Sequence, residues 1–300
     1  MVVATTMNTR SSDSAKGPLV HRTPSAGHDR PVPADARPPE PFYLPLDGLD
    51  GHRFHATFST TGPWFSDAQH VGPPSALLTR ALERCAPRVP PLQLSRITCE
   101  VLGPVPAGEV EVYAQLVRPG RSIELLSAEL IAGGRAVLRA SAWRTVAGDT
   151  EAVAVGAAEP LPPPERATLR EERPPGWLPG YIDALEWRWL RSSLGEPGPG
   201  VAWARPRVPL VDGEEASALQ RLALVADSGN GVAAPLDIRE WMFVNTEITV
   251  HLHRPPVGEW IAVDARTVVG PTGLGTVSAV LHDERGHTAR AAQSLIVRRR

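Results

Sequence analysis

Arg96-Ile97-Thr98-Cys99-Glu100-Val101 and Glu247-Ile248-Thr249-Val250-His251-Leu252 are two versions of one strand-like run. A few residues further on, Pro106-Ala107-Gly108-Glu109 is matched by Pro256-Val257-Gly258-Glu259. The first pair is offset by 151 residues and the second by 150, so the register holds through a one-residue slip. The same series of strand-like runs then follows in both places, at 109–117, 122–131 and 136–145, and at 260–269, 275–282 and 288–297. Glycine and proline separate the runs, as hairpin turns require. Self-similarity on this scale marks an internal duplication, which weighs more for the fold than any single motif.

Each strand series is preceded by a helical pattern. Gly72-Pro73-Pro74 opens a stretch to Cys85 in which Leu77, Leu78, Ala81, Leu82 and Cys85 share one face. Proline suits the first turn of a helix, where its missing N–H costs no intrahelical bond. In the second half, residues 214 to about 227 place Leu219, Leu222, Ala223 and Ala226 on one face. The run Ala226-Asp227-Ser228-Gly229-Asn230-Gly231 reads as that helix's stop. One helix and an antiparallel sheet, present twice, predict an α+β unit and its tandem copy.

Outside these bodies the composition changes. Residues 1–40 are rich in Ser, Thr, Pro, Ala and charge, with no periodicity, and read as a disordered tail. Residues 147–179 carry Pro160, Pro162, Pro163, Pro164, Pro174 and Pro175 and read as a semi-rigid linker. The expected division is therefore 41–146 and 180–300 around that linker. The chain has 32 prolines and 26 glycines, about a fifth of its residues against a typical ~12%, and tail and linker absorb much of the excess.

Charge and composition exclude several classes. A net charge of -2 argues against a nucleic-acid or anionic-membrane binder. Cys85 and Cys99 are too few for a disulfide framework or a zinc site, and read as small core residues. No apolar run approaches the ~20 residues that cross a bilayer, and Met1–Arg10 lacks a signal-peptide apolar region. A cytoplasmic protein is the expectation. His251 and His253 alternate on one strand as a possible metal pair without an evident third ligand, so no metal and no cofactor are expected. Ser75 lacks the Gly-x-Ser-x-Gly setting of a serine-hydrolase nucleophile.

The order of these segments resembles the double-hotdog acyl-CoA thioesterases, of the acyl-CoA thioesterase II type and its actinobacterial relatives. The residues that carry the resemblance are His70-Val71-Gly72-Pro73-Pro74-Ser75-Ala76-Leu77-Leu78 at the first helix and Arg118-Pro119-Gly120-Arg121 at a turn. In the second half they are Pro209-Leu210-Val211-Asp212-Gly213-Glu214, the run from Ala226 to Gly231, Asn245-Thr246-Glu247, His251-Leu252-His253-Arg254-Pro255-Pro256 and Ala292-Gln293-Ser294. The resemblance covers about 42–146 and 180–300. It implies a tandem hotdog: in each half a long helix wrapped by an antiparallel sheet, with the two sheets joined into one. A homodimer of such double hotdogs is a possible assembly.

The resemblance also implies a site in which an Asp, a small polar residue and a Gln hold a water. Asp227 and Gln293 match the first and last. Asn245 occupies the middle position, with Thr246 next to it as the chemically closer match; strand neighbours face opposite ways, so only one can enter the site. An amide both donates to and accepts from water, which favours Asn245. Glu247 is expected on the face of Asn245, as a second acid or as an exposed cross-strand charge. Asp227, at a helix C-terminus, opposes the helix dipole; it reads as functional or as a solvent-facing helix end. Oxyanion donors are expected from backbone N–H groups around Gly72 and Ser75 at the first helix start, although Pro73 and Pro74 have no N–H to give. His70 reads either as a residue at the site mouth or as a surface histidine.

Three functions fit. One is metal-free hydrolysis of an acyl-CoA or acyl-carrier-bound thioester by water. Another is a hotdog recruited to a biosynthetic pathway as a cyclase, dehydratase or processing enzyme for carrier-bound intermediates. The third is a non-catalytic acyl-binding protein.

Overall fold

The computed structural model describes residues 38–87 and 91–300. The expected tail, 1–40, lies outside the described residues except for its last three. The first half contributes β1 (Tyr43–Pro45), β2 (Arg53–Ala56), α1 (Gly72–Arg84), β3 (Leu92–Val101), β4 (Gly108–Arg118), β5 (Ile123–Ala132) and β6 (Arg135–Val146). After β7 (Thr168–Leu169) the second half contributes β8 (Leu185–Arg191), β9 (Gly200–Pro206), α2 (Ala218–Ala226), α3 (Gly229–Val232), β10 (Trp241–Leu252), β11 (Ile261–Val269), β12 (Leu274–Asp283) and β13 (Gly286–Arg299).

All the strands form one sheet in the order β1-β2-β4-β5-β6-β3-β10-β13-β12-β11-β9-β8-β7. Without β7 the order is the same from either end, so the chain is a tandem hotdog with its two sheets joined at β3 and β10. These are the strands that carry the duplicated run. They pair antiparallel, Ile97 with Val250, Thr98 with Thr249 and Cys99 with Ile248. Residues equivalent by the 151-residue offset face each other only at Thr98 and Thr249, whose Oγ1 atoms lie 3.1 Å apart. A local twofold axis therefore passes between these two threonines.

The duplication extends to an irregularity. β10 slips by one residue against β13 between Asn245 and Glu247, and β3 slips against β6 at the equivalent place, between Leu94 and Arg96. Such a bulge interrupts the inside-outside alternation. Four short strands, β1, β2, β8 and β9, precede the helices and are absent from the sequence-based expectation. They are three to seven residues long, too short for alternation to stand out from background.

α1 is buried nearly all round, from Gly72 to Arg80 and at Leu82. One side lies on its own sheet and another on α2. Buried Arg80 therefore needs a counter-charge, and its Nε donates to both carboxylate oxygens of Glu214 at 3.0 Å. Glu214 was expected to open the second helix. Instead α2 starts at Ala218, because the Ser217 side chain accepts from Gln220 N–H and caps it there. The expected single helix to about 227 is two pieces, α2 and α3, with Asp227 and Ser228 between them. The proline-rich stretch lies against the second half. Leu161 and Ala167 pack with Trp203 and Trp260, and Trp203 Nε1 donates to Pro162 O at 2.9 Å. Among the described residues no helix is long and apolar enough to cross a membrane.

Candidate active site

α1 and α2 run antiparallel, so the start of α1 meets the end of α2. The approach is close: a Cβ on Gly72 would lie 2.3 Å from Leu224 O, so only glycine fits. Tyr181 fills the space beside this junction. Its hydroxyl lies 2.9 Å from Leu224 O and 2.7 Å from Ser228 Oγ, serving a carbonyl freed where α2 ends.

Asp227 is enclosed at this junction, with 2% of its surface exposed; it is not a solvent-facing helix end. Asn245 Nδ2 donates to its Oδ1 at 2.8 Å. Gln293 Nε2 donates to the same oxygen and to Asp227 O, both at 3.1 Å. Residues separated by up to 66 positions thus meet at one carboxylate. Gln293 Oε1 is buried and has no hydrogen-bond partner in the protein. The N–H of Gly72 also bonds the carboxylate, and so sets the positive start of α1 against the negative end of α2. Burial pushes Asp227 up to about 7, against the opposing pull of the Asn245, Gln293 and Gly72 hydrogen bonds.

His70 completes the junction. Its Nδ1 lies 3.3 Å from Asp227 Oδ2 and accepts Gly72 N–H at 3.0 Å. Its ring stacks on Tyr181, centroids 3.8 Å apart and planes 4° from parallel. Burial pushes the imidazole down to about 3. Of the two readings of His70, the structure places it inside the site. Tyr181 gave no signal in the sequence, lying where the proline-rich stretch ends and matching no motif.

Other expected residues are placed differently. The bulge moves Glu247 to the face opposite Asn245. Glu247 pairs with Ser294, whereas Ile248 pairs with Gln293 and Asn245 with Leu295, and paired residues share a face. Glu247 Oε1 accepts Ser294 N–H at 2.9 Å and Oε2 accepts the Thr249 hydroxyl at 3.1 Å, so it is no second acid at this site. Thr246, at the bulge, is exposed. Ser75 N–H is taken by Val71 O at 3.0 Å within the helix turn, and Gly72 N–H by His70 and Asp227. Neither expected oxyanion donor is left over. Among the described residues no group of three His, Cys, Asp or Glu is placed to hold a metal ion.

The twofold axis generates no second copy of this arrangement. Leu94 and Ala142 occupy the places equivalent to Asn245 and Gln293. At that end of the helix pair Glu83 accepts from Ser217 Oγ at 2.9 Å and from Gln220 Nε2 at 2.7 Å.

Sheet order, helix pair and duplicated register together define a double hotdog. Residues 60–145 match the model of the acyl-CoA thioesterase N-terminal domain and residues 159–297 that of the C-terminal domain, so the chain belongs to the acyl-CoA thioesterase family. Solved structures agree on the fold. An acyl-CoA thioesterase II from Mycobacterium marinum is 18% identical, with TM-score 0.57 over 86% of this chain and 96% of that one. A hot dog fold protein from Alicyclobacillus acidocaldarius is 16% identical, with TM-score 0.66 over 84% and 95%. Comparison with curated protein sequences yields no match.

Proposed function

We propose that this thioester hydrolase acts by direct attack of water on an acyl-CoA or acyl-carrier-bound thioester, with Asp227 as the general base. Asp227 takes a proton from the water, whose oxygen bonds to the acyl carbon. The carbon–sulfur bond breaks, and the thiolate takes up the proton to leave as free thiol. The observation that carries this reading is the enclosed Asp227 carboxyl, held by two amides beside an unpartnered Gln293 Oε1. A base that titrates near neutrality is suited to this work, and the Gln293 oxygen is an acceptor for the second hydrogen of the water. Asn245 Nδ2 keeps one more hydrogen, available to the developing oxyanion. The proposed organisation keeps 41–146 and 180–300 as the two hotdog halves around 147–179, with most site residues in the second.

The test is release of free thiol from a panel of acyl-CoAs, followed for the wild type and for Asp227→Ala. The expected loss in kcat is about 10²–10⁴; a loss below tenfold would overturn the assignment of the base. The engaged N–H groups of Gly72 and Ser75 favour a second reading, a hotdog that processes carrier-bound intermediates without hydrolysis. Absence of thiol release from every acyl-CoA, alongside conversion of a carrier-bound intermediate, would support it.

A further inference from the structure

Asp227 Oδ2 and His70 Nδ1 face each other at 3.3 Å. Nδ1 accepts Gly72 N–H with its one lone pair, so the imidazole is neutral, brings no hydrogen of its own to this space, and carries its proton on Nε2. Gly72 N–H, held by Nδ1, is also a donor to the carboxylate, so the imidazole draws on a hydrogen that would otherwise steady the ionised Asp227 and sets its own lone pair against that charge. Neither group can turn away. The ring is clamped flat on Tyr181, and the opposite carboxylate oxygen is held by Asn245 and Gln293. The titratable groups facing Asp227 are His70, Tyr181 and Cys99. Burial raises both the Tyr181 hydroxyl and the Cys99 thiol, the latter to about 12, so neither supplies or removes charge near neutrality.

We propose that His70 sets the pH at which Asp227 is released as a base: its Nδ1 takes a share of Gly72 N–H from the carboxylate and holds a lone pair against the carboxylate's second oxygen. The inference rests on the reading of Asp227 as the base. His70 acts through Asp227 and is a positioning residue. Withholding a donor from the carboxylate and facing it with a lone pair both favour the neutral form. Burial alone would raise Asp227 as well; the contact adds a specific share that a single substitution removes.

His70→Phe keeps a ring on Tyr181 but removes the acceptor, and leaves Gly72 N–H to the carboxylate alone. Both changes favour the ionised form. The acid limb of the kcat/KM profile is expected to move to lower pH by about one unit. His70→Asn, with Oδ1 in the place of Nδ1, is expected to bring the limb back toward the wild-type position. A role in packing alone would lower the rate of both variants and leave the limb in place, and that result would overturn the proposal. Carboxyl titration by 13C NMR without substrate, assigned through Asp227→Asn, reads the same shift independently of turnover. An Asp227 titration unmoved in folded His70→Phe, with folding checked by circular dichroism, would sink the dyad. A moved titration in a protein that releases no thiol would sink the hydrolase reading and leave the dyad standing.

Discussion

Asp227, the proposed base, is held in its buried place at the expense of stability. Its burial favours the protonated carboxyl, lifting its titration from the ordinary 3.8 to about 7. A group raised in this way contributes stability that is present below its unfolded value and is lost as pH rises through the folded one. Between about pH 4 and 7 the folded protein therefore loses on the order of a few kcal/mol at this residue. Asp227→Asn removes the charge and keeps the shape. The expected outcome is an inactive variant that is more stable than wild type at pH 8, with the advantage shrinking toward pH 4. Thermal unfolding across that pH range checks it, and an advantage that grows toward acid would contradict the assignment. Asp227, Asn245 and Gln293 were legible in the sequence as matches to the family resemblance, and Gln293 also as an amide in an otherwise small or apolar strand that demands a partner. The contact with His70 was not, since no spacing along the chain records that the start of α1 touches the end of α2.

At the scale of elements, the ends of helices and strands decide what reaches the site. α1 stops at Arg84, and the carbonyls of Cys85 and Ala86 accept from Arg144 Nη1 and Nη2 at 2.9 and 2.8 Å. The same guanidinium meets Glu124 from the neighbouring strand through Nε at 2.8 Å. Both side chains are almost wholly buried. Removing Arg144 takes a charged hydrogen-bond partner from a buried carboxylate and the cap from two carbonyls. Arg144→Met is expected to cost about 3–5 kcal/mol, measured by urea unfolding, whereas an exposed pair such as Arg139–Glu129 would cost no more than about 1 kcal/mol. The bulge in β10 is the second element-scale device. Alternation alone puts Asn245 and Glu247 on one face; one inserted residue separates them and leaves Asn245 to the site. The pattern of residue types around 245 carries no mark of the insertion, because a bulge is fixed by pairing with β13.

Across the whole molecule, one twofold arrangement holds two unlike ends. The join at Thr98 and Thr249 makes the sheet continuous and brings the two helices side by side. Divergence then leaves Asn245 and Gln293 on one side of the axis and Leu94 and Ala142 on the other. The site needs both halves, since Asp227, Asn245 and Gln293 come from the second and Gly72 and His70 from the first. Residues 147–300 expressed alone would carry the three amide and carboxyl groups without α1, and would expose the edge of β10. Such an edge recruits another strand. The expected result is self-association by size-exclusion chromatography with no thioester hydrolysis; a monomeric, active fragment would show that the first half is dispensable.

The sequence by itself determined the repeating unit, the order of helix and strands, and the polar residue types set into apolar surroundings. These are local properties: periodicity, turn chemistry and self-similarity are written along the chain. Tertiary structure alone decided which faces those residues occupy and what they touch. The β10 bulge, the break between α2 and α3, and the approach of Gly72 to Leu224 arise from pairing and packing between segments far apart in sequence. They convert a helix-end aspartate into an enclosed carboxyl with a histidine at its second oxygen.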